Sequence, residues 1–169
     1  MARTSYSDMS GLPDPLLSYN FDLVIPNIPG GGNTKALTIK CQSTSLPGKS
    51  LEDVTVTAHG VELKYAGRVV YTHTQQATFY ETRDLTTRDA LRGWMESARD
   101  VPTNSGDYKV NYGTLAYLLL YDDTVTNVIR TIQFDGFFCQ DMQEATLEGS
   151  GSSVVTISAT FYYDLWKDL

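Results

Sequence analysis

Val155-Thr156-Ile157-Ser158-Ala159-Thr160-Phe161-Tyr162-Tyr163 sets Val155, Ile157, Ala159, Phe161 and Tyr163 against Thr156, Ser158, Thr160 and Tyr162. A side-chain period of two, held this long, is a strand with one face on a core and the other turned away. The same pattern recurs upstream. Glu148-Gly149-Ser150-Gly151 is a loop, and before it Val128, Arg130, Ile132 and Phe134 begin a strand that returns from a turn at Asp122-Asp123-Thr124. Leu115–Tyr121 is apolar throughout, which predicts a strand buried on both faces.

One segment breaks the strand rhythm. Ala90, Leu91, Trp94, Met95 and Ala98 recur at helical spacing and predict one amphipathic helix. Thr86 is its expected N-cap, with Asp89 as a capping-box partner, and Asp100-Val101-Pro102 ends it. A polar loop, Thr103 to Gly113, follows.

Towards the N-terminus, Tyr19, Phe21, Leu23 and Ile25 alternate with Asn20, Asp22 and Val24 up to Pro26 and Pro29. Gly30-Gly31-Gly32-Asn33 is a turn, and Leu37, Ile39 and Cys41 predict a second strand that makes a hairpin with the first. Ser45-Leu46-Pro47-Gly48 interrupts. Val54, Val56 and Ala58 are then apolar on even positions, whereas Val61, Leu63 and Tyr65 are apolar on odd ones. This phase change at His59-Gly60 marks a bulge or a change of environment. Ala66-Gly67 reads as the tip of a long hairpin, whose return strand starts at Val69 and Tyr71 and runs through Ala77, Phe79 and Tyr80. Residues 1–17, with Gly11, Pro13 and Pro15, read as an arm, and 18–169 as a single domain. The fold class is mainly β with one α-helix: an antiparallel β-sandwich or barrel of about seven strands with a packed helix.

Composition agrees and narrows the function. Twenty Thr, 11 Tyr and 6 Phe suit pleated, half-buried surfaces. With 13 basic and 20 acidic residues the net charge is −7, which argues against a protein that coats duplex DNA or lies on a membrane through a basic face. The longest wholly apolar run, Leu115–Tyr121, is far short of the roughly 20 residues of a spanning helix. Met1 to Ser18 holds no apolar stretch of signal-peptide length, which argues against secretion by that route.

The residues of known chemistries do not assemble. Ser43-Thr44-Ser45-Leu46-Pro47-Gly48-Lys49-Ser50 resembles a phosphate loop at its end only. Ser43 stands where glycine is needed, Pro47 interrupts, and a strand rather than a helix follows. Gly30–Gly32 cannot seed a dinucleotide site, because the third glycine would fall on Lys35. His59 and His73 read as sheet residues, Asp122-Asp123 as turn formers, and Cys41 and Cys139 as small core residues, Cys41 on a face with Leu37 and Ile39. No catalytic residue, metal ligand or cofactor is expected.

Several pieces stand in a telling order. Lys40-Cys41-Gln42-Ser43-Thr44-Ser45-Leu46-Pro47-Gly48 is followed by a long hairpin with Tyr65-Ala66-Gly67-Arg68, then a strand into the helix with Trp94. Two strands joined at Asp122-Asp123 come next, and Ala159-Thr160-Phe161-Tyr162-Tyr163-Asp164 closes the chain. Over roughly 17–166 this resembles the tail tube protein of contractile-tailed bacteriophages, a family related to the type VI secretion tube protein. The resemblance implies a structural, non-enzymatic virion protein. Its subunits would form hexameric rings that stack into the inner tail tube, with tail sheath protein outside and baseplate and tail terminator at the ends. Double-stranded DNA would pass through the lumen without tight binding. No membrane insertion is implied, and assembly would take place in the host cytoplasm. Two alternatives stand beside it: a secretion-system tube subunit, and a small β-sandwich binding module.

The apolar set Val61, Leu63, Tyr65, Val69 and Tyr71 lies near the expected hairpin tip, where solvent would be the default. Exposed apolar clusters mark interfaces. These five residues are therefore the expected stacking surface between successive rings. The alternative is a bulged hairpin folded back on its own sandwich.

Overall fold

Every strand pair among the described residues is antiparallel, and one long strand runs through both halves of the main sheet. The structure is a computed structural model that describes residues 10–169; the part of the expected arm at 1–9 lies outside the described residues. In chain order come β1 (Phe21–Val24), α1 (Thr34–Lys40), β2 (Cys41–Thr44), β3 (Lys49–Ala58), β4 (Val61–Tyr71) and β5 (Thr74–Tyr80). They are followed by α2 (Thr86–Ala98), α3 (Lys109–Tyr112), β6 (Thr114–Tyr121), β7 (Val128–Met142), β8 (Thr156–Tyr162) and β9 (Leu165–Asp168). The main sheet runs β1-β6-β7-β8-β5-β2, with β9 on the other side of β7, while β3 and β4 form a sheet of their own.

Gly136 explains how β7 serves both halves. Ile132 and Phe134 point into the core on even positions, and Phe137 and Cys139 on odd ones. Gly136, at φ +65°, absorbs that change of phase. A Cβ there would stand 2.2 Å from Asp164 Oδ2, the end of an exposed side chain that can swing aside, so it is chiefly the left-handed backbone that calls for glycine. Up to Phe137, β7 pairs with β6; from Phe138 it pairs with β8. The inward faces of the two halves meet in one core around Leu23, Ile25, Phe79, Leu118, Phe134, Phe137 and Phe161. The rings of Phe137 and Phe161 stack at 4.8 Å between centroids. Residues Ile157, Ala159, Phe161 and Tyr163 are all buried, as the alternation of the closing strand predicts.

α2 packs Thr87, Ala90, Leu91 and Trp94 against this core, and Trp94 Nε1 donates to the Tyr112 carbonyl at 2.7 Å. Its expected bounds hold, but its cap does not. Leu85, in the left-handed region, occupies the N-cap position without a side-chain bond. Glu81, at the end of β5, takes over. Its carboxylate accepts from the amides of Thr87 (3.3 Å) and Arg88 (2.8 Å), and also from Thr82 (2.8 Å). Negative charge at a helix N-terminus is favoured by the dipole and the free N–H groups. Burial works against the Glu81 carboxylate, yet those amides and the Thr87 hydroxyl outweigh it and hold its pKa below the ordinary value. Thr86 instead accepts from Lys40 Nζ, which also donates to Thr82 and Thr87 hydroxyls and lies 3.6 Å from Glu81 Oε1.

Four further expectations are corrected. The segment around Leu37 and Ile39 is the helix α1, not a strand: Asn33 caps it through Ala36 N at 3.0 Å, and Leu37 and Lys40, three apart, face inward. Ile39 is exposed and does not share a face with Cys41. β1 therefore makes no hairpin with β2 and pairs with β6 instead. The polar loop 103–113 contains α3. β6 buries Ala116 and Leu118 fully on one face but leaves Leu115 exposed, so it is not buried on both sides. The number of described strands is nine rather than about seven, because β9 follows the closing strand and the long hairpin is separate from β5.

Candidate assembly interface

The long hairpin turns at His59-Gly60, not at Ala66-Gly67. Both turn residues have positive φ, 52° and 77°, as a tight two-residue hairpin turn requires. This resolves the phase change. Ala58 pairs with Val61, Val56 with Leu63 and Val54 with Tyr65, so the even set of β3 and the odd set of β4 lie on one continuous face. Gly67 sits within β4, at a register shift between the pairs Leu51–Val69 and Asp53–Ala66. A Cβ on Gly67 would stand 2.8 Å from the Glu52 carbonyl oxygen, and that close approach is what the glycine allows.

The ribbon is amphipathic. Its apolar face carries Val54, Val56, Val61, Leu63 and Tyr65, all exposed; Leu51 and Val69, paired beyond the bulge and also exposed, lie on the reverse face with Asp53 and Ala66. Around them stand exposed ion pairs: Lys64 with Asp53 at 3.0 Å and with Glu62 at 3.8 Å, and Arg68 with Glu52 at 2.8 Å. Every residue of β3 is exposed, and β3 and β4 pair only with each other. With 10 residues at about 3.3 Å each, β3 reaches about 33 Å. A two-stranded ribbon in water is marginal without a surface to pack on.

Of the five residues expected to stack, Val61, Leu63 and Tyr65 lie together on one face towards the tip, whereas the bulge turns Val69 to the reverse face. Tyr71 is at the base, half-buried, edge-on to Trp166 of β9 at 6.2 Å and to His73 at 6.0 Å. Val54 and Val56 complete the surface. Their even-position alternation was readable, but only the true turn shows that they share a face with Val61, Leu63 and Tyr65.

The groups with chemical potential elsewhere have structural partners. His73 Nδ1 is 3.1 Å from the Tyr163 carbonyl oxygen. Asp122 accepts from Asn127 and Thr124 side chains and from the amides of Thr126 and Asn127, and the Asn127 contact leads in lowering its pKa to about 2. Burial pushes both cysteine thiols up to about 12. Both cysteines are free. Among the described residues no group of three or more His, Cys, Asp or Glu could hold a metal ion.

Residues 17–168 match the family model described as phage tail tube protein. No curated protein matches the chain. Among solved structures, the chain is similar to one in the PVC sheath/tube terminator of an extracellular contractile injection system in the extended state. That similarity has TM-score 0.69 and 14% identity, over 94% of this chain and 99% of the other. A chain of the PVC sheath-tube complex in the extended state gives TM-score 0.66 and 15% identity over 99% of both chains. One from the anti-feeding prophage tube terminating cap gives 0.68 and 11%, over 94% of this chain and 93% of the other. At such identities these likenesses speak to the fold.

Proposed function

The chain belongs to the phage tail tube protein family, a structural family of the virion tail, and on that premise we propose that it forms hexameric rings stacked into the inner tube of a contractile tail. In this reading 18–169 is the ring-forming domain and 1–17 an arm. The tail sheath surrounds the tube, baseplate and terminator proteins close its ends, and assembly takes place in the host cytoplasm. The genome passes through the lumen without tight binding. The chain carries out no catalytic step.

The observation that supports this best is the projecting hairpin. Its apolar face has no counterpart in its own subunit among the described residues, and each Val or Leu that it buries on assembly contributes about 1.5–3 kcal/mol. Ring-to-ring stacking supplies such a surface, with Val61, Leu63 and Tyr65 in contact, Val69 on the reverse face and Tyr71 anchoring the base. Closed rings also provide partners for the open edges of β1 and β2.

The test is Val61→Asp with Leu63→Asp. The double variant should remain a folded subunit, with unchanged circular dichroism and a melting temperature close to wild type, and should no longer form tubes in electron micrographs. An unfolded variant would mean that these side chains serve the subunit's own core. Intact tubes would remove the hairpin from the stacking surface.

A further inference from the structure

The bulge at Gly67 divides the hairpin into two halves that are amphipathic in opposite senses. Towards the tip, the front face carries the apolar set Val54, Val56, Val61, Leu63 and Tyr65. The reverse face there carries Thr55, Thr57, Glu62 and the Lys64–Asp53 ion pair. Towards the base the order is exchanged. The front face holds Ser50 opposite the half-buried Val70, and the Glu52–Arg68 ion pair; the reverse face holds Leu51, Val69 and Tyr71. Between the pairs Asp53–Ala66 and Leu51–Val69, β3 advances by two residues and β4 by three. That one extra residue reverses the phase of β4. Without it Val61, Leu63, Tyr65, Val69 and Tyr71, all on odd positions, would share a single face.

A ribbon with one partner needs one apolar face. This one has two, on opposite sides and at different heights, and they call for two partners. Leu51 stands two residues into β3 from Lys49, about 7 Å along the strand, whereas Ala58 at the tip stands about 30 Å along it. The base patch is therefore level with the body of its own subunit. That body does not cover it, since Leu51 is 59% and Val69 48% exposed. The patch continues onto β9: Tyr71 is edge-on to Trp166 at 6.2 Å, and Lys49 Nζ lies 5.9 Å from the centre of the same ring. Among the described residues β9 pairs only with β7, so its outer edge is open. Apolar side chains beside an open strand edge, level with the body, fit a neighbour standing alongside.

We propose, on the tube reading above, that the hairpin is a two-sided connector. The reverse face of its base, Leu51 and Val69 with Tyr71, seats against the neighbouring copy in the same ring, while the front face of its tip reaches the next ring. The two contacts are made at different steps. A two-stranded ribbon in water is marginal without a surface to pack on. The lateral neighbour covers the base on the side that the subunit's own body leaves open, so closing the ring steadies the ribbon before its tip meets another ring. Ring closure then comes before stacking, and a lone subunit is a poor addition to a growing tube.

The experiment uses the full-length chain and reads ring closure and stacking separately, by sedimentation and electron microscopy. Leu51→Asp with Val69→Asp should give a subunit with unchanged circular dichroism that forms neither rings nor tubes. Val61→Asp with Leu63→Asp should stop at single rings, and its failure to close rings would overturn the division between the two halves. Single rings from the Leu51 and Val69 variant would put both patches on the stacking surface. Intact tubes from it would leave the base patch without a partner, and an unfolded chain would assign that patch to the subunit's own core; each result overturns the connector. A second measurement needs no charge at the base. In single rings of the Val61→Asp, Leu63→Asp variant, an added Leu51→Cys should react with a small maleimide at least about tenfold more slowly than an added Val56→Cys. Equal rates would overturn the lateral contact. Cys41 and Cys139, whose pKa values stand at about 12, stay unreactive as background. Wild-type protein that forms no rings fails the tube reading itself, whereas rings in which both thiols react equally fail the connector alone.

Discussion

Lys40→Met tests whether the buried ion pair at the start of α2 holds the molecule together. Methionine keeps most of the stem and removes the charge. In the native protein the Lys40 and Glu81 side chains are only 8% and 2% exposed. Lys40 Nζ donates to Thr82 (2.8 Å), Thr86 (2.6 Å) and Thr87 (3.2 Å), so all its donors are used. Removing one partner of a buried pair costs about 3–5 kcal/mol, because the other charge is left in low dielectric. Glu81 keeps three backbone donors after the change, which places the expected loss at the lower end, about 3 kcal/mol. For a domain of this size that is a fall of about 6–12 °C in Tm. Urea denaturation of dilute protein, followed by the fluorescence of buried Trp94, measures it. Adding Glu81→Gln to Lys40→Met should cost less than the sum of the two single changes, since the orphaned carboxylate is then gone. The pH dependence has a definite sign. Glu81 has a lowered folded-state pKa, so its contribution is complete above the ordinary value of 4.5 and is lost as pH falls through the lowered one. The gap between wild type and Lys40→Met should therefore narrow in acid. A loss below about 1 kcal/mol, or strict additivity in the double variant, would refute the reasoning.

Gly136→Ala should destabilise the fold by about 1–3 kcal/mol, chiefly from a left-handed φ, with a smaller share from displacing the exposed Asp164 side chain. Adding Asp164→Ala should restore the steric part only, which thermal melts of the pair will separate. The Asp122 turn should keep the Thr126 and Asn127 amides protected from hydrogen exchange above pH 3.8, and lose that protection as pH falls towards about 2. Asp122→Ala should abolish the protection at every pH.

How much of this was readable depends on how local the cause is. The closing strand and the helix over Thr86–Ala98 follow from periodicity alone, because each is long enough for its period to stand out. α1 is seven residues, and Leu37, Ile39 and Cys41 fit a strand as well as Leu37 and Lys40 fit a helix. Lysine at a buried position hides the helical face from any hydropathy reading. What decides the matter is a distant carboxylate, Glu81, and three threonines that receive Lys40. The same carboxylate caps α2 from outside its sequence neighbourhood, so a local search settles on Thr86. In the hairpin, alternation was read correctly over Val54–Ala58 and Val61–Tyr65, but the bulge that turns Val69 to the other face was missed, and Ala66-Gly67 outranked His59-Gly60 as a turn. A histidine with φ of 52° carries no strong sequence signal, whereas Ala-Gly does. The buried amide of Gln75, which donates to Thr44 at 2.7 Å and to the Ser45 carbonyl, follows from no pattern at all.

The base of the hairpin is clamped. Tyr71 sits against Trp166, Thr72 Oγ1 lies 3.2 Å from the Tyr163 hydroxyl, and His73 binds the Tyr163 carbonyl. A ribbon about 33 Å long on such a mount is a pointer with a set bearing. Small changes of angle at the mount become large displacements at the tip. In the proposed stack of rings, the rotation of one ring upon the next, and with it the pitch of the filament, would be set at Tyr163 and Trp166 rather than where the rings touch. Substitutions at those two rings would retune the helix of the tube while leaving every side chain of the contact unchanged.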